Sequence, residues 1–155
     1  MANRLVRIRQ VSTATSTPDA GAGMVQINPM TVTGLTDGSG LCVDKSGSVY
    51  VCDSSKHVIY RIRPGGASKI FAGTYGVSGS TDGAAGAAKF NGPTGIACDS
   101  RGFLFVMDSG NALIRRIDDN ANVYTVAKVP ALGSDEPGGI AVNDSGDIFI
   151  IDNTA

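Results

Sequence analysis

The sequence predicts an all-β protein, a β-propeller built from a repeated unit, and three observations point there. Short apolar segments recur, each cut off by a turn signal; the clearest set spans residues 95–117, GIACDSRGFLFVMDSGNALIRRI, with segments at 95–99, 103–107 and 113–117. The set has an earlier copy at 40–62 and a later one from 139, at shifts of 55 and 44 residues. A period of roughly 40–50 residues made of short strands is the mark of a propeller. Finally, only 17% of the residues are charged and 21 are Gly, which suits many strands joined by tight turns.

Taken in order, residues 1–39 hold Arg4, Leu5, Val6, Arg7 and Ile8, which align with residues 58–62. They predict strand three of a blade that lacks its beginning, with a fourth strand within 11–33 interrupted by the loop STPDAGAG. Residues 40–94 form a blade followed by a long Gly-rich crossing, and residues 95–138 form a second blade. Fourth strands are expected at 67–72 and 122–127, and one short helical turn at 84–89 inside an exposed crossing. Residues 139–155 read as half a blade, strands one and two only, ending with Ile148, Phe149, Ile150 and Ile151. The strand-two segments are apolar without alternation, as expected where blades pack face to face. Strand three mixes Arg with Ile and Leu, which fits a place nearer the rim.

Turn chemistry recurs with the strands. Asp44 and Gly47, Asp99 and Gly102, and then Gly146 occupy the turn between strands one and two; Asp53, Asp108 and Asp152 close strand two. Asp at a turn start accepts backbone N–H groups and Gly supplies positive φ, so these residues are expected to be structural rather than calcium ligands.

The pattern GIA-x-D-x-x-G, an apolar strand, then D and I-R-x-I resembles the NHL repeat, over residues 40–155. That resemblance implies four-stranded blades, commonly six to a ring. Counting strands gives three blade equivalents per chain, and known propellers need about four to eight blades to close. The expectation is therefore a six-bladed ring made by a head-to-tail homodimer. Each C-terminal half-blade would be completed by the partner's N-terminal strands, with Arg4–Ile8 and Ile148–Ile151 as the self-assembly interface.

Little in the composition suggests chemistry. The formal charge of −1 offers no general reason to bind nucleic acid or an anionic membrane. No run of 18 apolar residues exists to span a bilayer. The N-terminus interleaves Arg with apolar residues and lacks a signal-peptide core, so a cytoplasmic or, if phage-encoded, virion location is expected. The three cysteines, Cys42, Cys52 and Cys98, lie within apolar runs and are expected to be reduced and buried. His57, the single histidine, reads as a surface turn residue, and Glu136, the single glutamate, as solvated. Enzymes that resemble the family use a histidine-held zinc, a channel metal or a channel Glu, and no matching residue is identifiable. The crossing lacks the GxxxxGK[ST] arrangement of a phosphate loop. Arg7, Arg61 and Arg116 recur, and would mark a basic rim if they gathered on one face. The expected function is thus a non-catalytic binding or structural module without cofactor, suited to a larger particle such as a phage virion or tail. A propeller hydrolase or lactonase with a channel metal is the alternative, and a protein- or RNA-binding NHL domain the second.

Overall fold

The computed structural model describes residues 4–10, 25–129 and 139–151, with backbone alone for 4–10 and 25–31. The first blade is an antiparallel sheet of β3 (Gly38–Val43), β4 (Val49–Asp53), β5 (Val58–Ile62) and β6 (Ser68–Ala72), in that order from one edge to the other. The second runs β8 (Pro93–Cys98), β9 (Leu104–Asp108), β10 (Leu113–Ile117) and β11 (Asn122–Lys128). A two-residue strand, β7 (Gly83–Ala84), from the crossing between the blades pairs with the outer edge of β11. Two smaller sheets flank these blades: β1 (Arg4–Gln10) with β2 (Val25–Thr31), and β12 (Ile140–Val142) with β13 (Ile148–Ile150).

The turns explain the repeat. Asp44 Oδ1 accepts the N–H groups of Ser46 and Ser48 at 2.8 and 3.0 Å, and Asp99 Oδ1 those of Arg101 and Phe103 at 3.0 and 2.9 Å. Gly47, Gly102 and Gly146 each take positive φ (81°, 96° and 91°), a conformation costly for any residue with a Cβ. In the third copy Asn143 stands in for the Asp, its Oδ1 accepting the Asp147 N–H at 2.8 Å. Gly40, which opens the first repeat, has a different cause. A Cβ on Gly40 would lie 2.5 Å from the Thr94 carbonyl oxygen, because the innermost strands of neighbouring blades converge there.

Alternation on each strand then assigns one face to the blade before and one to the blade after. Tyr50, Cys52, Ile59 and Phe71 of the first blade pack on Ile96, Leu104, Val106, Ile117 and Val123 of the second. Phe105, Met107 and Ile114, on the second blade's far face, pack on Ile140, Val142, Ile148 and Ile150. The crossing is not merely an exposed loop: Ala88 and Phe90 are fully buried at the first junction. Its Ala84 carbonyl accepts the N–H groups of Ala87 and Ala88, a single turn.

The cysteines depart from expectation. Cys42 and Cys98 form a disulfide, with Cα atoms 6.1 Å apart, and only Cys52 is free. They stand at a spacing of 56 in a 55-residue repeat, so they are not repeat-equivalent; convergence of β3 with β8 brings them together. Burial pushes the Cys52 thiol pKa up, leaving it an inert apolar group. Closing a 56-residue loop removes unfolded-state entropy equivalent to about 4 kcal/mol. Urea unfolding of the Cys42→Ala/Cys98→Ala variant should show a loss of that order.

Candidate functional site

One buried carboxylate ties each of the two four-stranded blades to the segment leading into it. Asp53 ends β4 and accepts from the Thr36 N–H at 2.7 Å, the Thr36 hydroxyl, the Ser55 hydroxyl and the Lys56 N–H. Asp108 occupies the same place on β9 and accepts from the Asn91 N–H, one repeat after Thr36, at 2.7 Å. Burial acts to raise the pKa of both. In Asp53 the hydrogen bonds outweigh it and hold the carboxyl below its usual range, whereas in Asp108 burial wins and the pKa is raised. Asp152, the third member of the series, lies outside the described residues.

Asp108 has a cation that Asp53 lacks among the described residues. Arg115 on β10 is fully buried; its Nη1 donates to Asp108 at 2.8 Å and to the Lys89 carbonyl at 3.0 Å. Its Nη2 donates to Asp82 at 2.7 Å and to the Thr81 carbonyl at 3.0 Å. Asp82 in turn accepts from the backbone and hydroxyl of Thr125 on β11. This constellation binds the crossing to the second blade and uses every charge it brings together.

Arg61 and Arg116 each lie against aromatic rings. Arg61 stacks over Phe71 at 4.7 Å, and Arg116 lies between Phe103 and Tyr124 at 5.0 and 5.1 Å, each on the blade that bears it. Arg7 lies where only backbone is described. His57 takes a left-handed conformation (φ 58°), and its Nδ1 accepts the Gly92 N–H at 3.0 Å. Its equivalent Ala112 shares that conformation (φ 53°), so backbone shape and not imidazole chemistry defines the position. Glu136 lies outside the described residues. Among the described residues no group of His, Cys, Asp or Glu is arranged to hold a metal.

Among the described residues, large apolar side chains stand exposed at both ends of the arc. Leu41 and Val43 on β3 are 52% and 55% exposed, and Phe149 and Ile151, in and just after β13, are each 57% exposed. Each has repeat-equivalents that face a neighbouring blade. Leu41 and Val43 correspond to Ile96 and Cys98, and then to Ile140 and Val142, all packed against the preceding blade. Phe149 and Ile151 correspond to Tyr50 and Cys52, and then to Phe105 and Met107, all buried against the following blade. The two ends of the arc thus expose complementary halves of one junction. Ile148 and Ile150 instead face inward, onto the second blade. Arg4–Ile8 lie on β1, whose far edge is unpaired among the described residues, as is the far edge of β13. The exposed faces are distinguished only by the assignment of sides to each strand.

Strand order and blade packing define a β-propeller fold, and solved structures share it. The chain is similar to an auxiliary nutrient binding protein from Bacteroides thetaiotaomicron, with a TM-score of 0.65 and 18% identity over 81% of this chain and 38% of that one. It is also similar to virginiamycin B lyase from Staphylococcus aureus (TM-score 0.56, 14% identity, 97% of this chain and 39% of that one). A putative gluconolactonase matches with a TM-score of 0.57 and 17% identity, over 83% of this chain and 45% of that one. In sequence, 80 residues, 52% of the chain, are 36% identical to Protein SUPPRESSOR OF QUENCHING 1, chloroplastic, of Arabidopsis thaliana, of which they span 8%. No protein-family profile matches the chain. No helix among the described residues is long and apolar enough to cross a membrane.

Proposed function

We propose that the protein is a non-catalytic binding and assembly module: an NHL-type propeller whose ring is closed by a second copy of the chain. The observation that carries this is the complementarity of the exposed faces. Leu41 and Val43 at one end, and Phe149 and Ile151 at the other, repeat positions that pack into both internal junctions. Large apolar patches on a soluble surface mark interaction sites. Head-to-tail contact between two copies would cover both patches twice over. It would also join β13 of one copy to β1 of the other, making a composite blade ordered β12-β13-β1-β2 and removing both free edges. Six blades in two chains is a size at which propellers close. A ring so formed is a scaffold, and a role within a larger particle, such as a virion or tail, is compatible with obligate self-association.

Solution mass tests this. Sedimentation equilibrium should give twice the 15.8 kDa chain mass, and Phe149→Asp should return it to one chain mass. A wild-type protein that stays monomeric at micromolar concentration would refute closure by a second copy. Lactone or ester turnover abolished by chelation would refute the non-catalytic assignment.

A further inference from the structure

Building on that closure, we infer that the outer face of the second blade, at Arg116, Tyr124 and Val126, seats the β1–β2 pair of the second copy. The inference comes from a bulge that recurs in both blades. Between β5 and β6, Ile59 pairs with Ala72 and Tyr60 with Ile70, so Phe71 is the extra residue. Between β10 and β11, Ile114 pairs with Ala127 and Arg115 with Thr125, which makes Val126 its counterpart. Arg116 likewise corresponds to Arg61, one repeat of 55 residues earlier.

The two positions differ in what covers them. Phe71 is 9% exposed, because Ile117, Ala121 and Val123, from the outer half of the second blade, belong to the core around it. Val126 is 43% and Tyr124 41% exposed. Among the described residues the next blade is the β12–β13 pair, whose apolar side covers Phe105, Met107 and Ile114 but leaves the outer part of the face open. Among the described residues no outer antiparallel pair stands against that part of the face. The β1–β2 sheet is such a pair, with seven residues matched from Arg4↔Thr31 to Gln10↔Val25 and, among the described residues, no partner strand in another sheet.

The pair cannot come from the same copy, because the chain leaving β2 is held at the other end of the arc. Val32 is buried with Val51, Val58, Tyr60 and Ile62 of the first blade, and the Thr33 N–H donates to Ser68 Oγ at 2.9 Å. Arg116 adds a polar reason for a cover. Its Nε is buried without a hydrogen-bond partner among the described residues, and an added strand brings carbonyl groups to such an atom.

The test uses the full chain. Val126→Glu places a carboxylate under the seated strands and should weaken dimerisation by at least about a hundredfold, the charge being buried without a partner. Val77→Glu, at a residue equally exposed but in the crossing, should leave the dimer unchanged. Dimerisation of V126E with wild-type affinity would overturn the seat while leaving ring closure intact; a monomeric wild type would instead remove the closure itself. Should V126E fail to fold, Val126→Cys gives a milder probe. Its alkylation should slow at least about tenfold on association, relative to Val77→Cys, and equal slowing or none overturns the inference.

Discussion

Replacing Arg115 with Met should cost the protein about 3–5 kcal/mol of unfolding free energy, the range expected when one partner of a buried ion pair is removed. The side chain is fully buried and donates to two carboxylates and two carbonyls. Met matches much of its volume but supplies none of those hydrogens. Asp108, also fully buried, would keep, among the described residues, the donors of Asn91 and Asn111. A second change, Asp108→Asn, should recover part of the loss, because it removes the uncompensated charge while retaining an acceptor for the Asn91 N–H. Urea denaturation at fixed protein concentration measures both. A local signature accompanies the global one: the crossing, held through Thr81, Asp82 and Lys89, should become cleavable by trypsin at Lys89. An R115M variant within about 0.5 kcal/mol of wild type, the usual scatter of surface substitutions, would show the cluster to be dispensable.

The second large effect is covalent. Cys42 and Cys98 show that these two positions in neighbouring blades lie within disulfide reach, at 6.1 Å between Cα atoms. Carried forward by the repeat, the same pair is Ala97 with Val142 at the next junction, and Ala141 of one copy with Val43 of the other at the proposed third. Ala97→Cys/Val142→Cys should therefore form a bond within one chain. Val43→Cys/Ala141→Cys should convert most of the protein to a covalent dimer on mild oxidation, seen on a non-reducing gel. A ladder of higher species would indicate an open head-to-tail chain in place of a closed ring. Persistence of single chains, with the internal pair oxidising normally, would rule out the junction.

Much of the architecture was legible because the features that specify it are local. A turn needing positive φ selects Gly at 47, 102 and 146, and its orphan N–H groups select Asp or Asn three residues earlier. Such requirements recur with the fold and so are visible as spacing. The arginines were not legible in this way. Arg115 and Arg116 are adjacent and chemically identical, yet one is locked in an ion pair and the other lies between two aromatic rings. Alternation along β10 sends them to opposite faces of the sheet, and only the packing says which face meets the crossing with its Asp82. The importance of Asp82 was hidden for the same reason, since a Gly-rich segment has no periodicity to assign it a partner.

The cysteines were misjudged on similar grounds. Parity and spacing concern the chain as a line, while the bond depends on where β3 and β8 converge across 56 residues. By itself, then, the sequence determined the strands, their turns and their grouping into repeats, because each rests on backbone geometry within a few residues. The tertiary structure alone decided which side of every strand meets which neighbour. From that follow the disulfide, the Arg115 cluster and the exposed faces of Leu41, Val43, Phe149 and Ile151. Those depend on contacts between residues tens of positions apart, which exist only once the blades have been laid against one another.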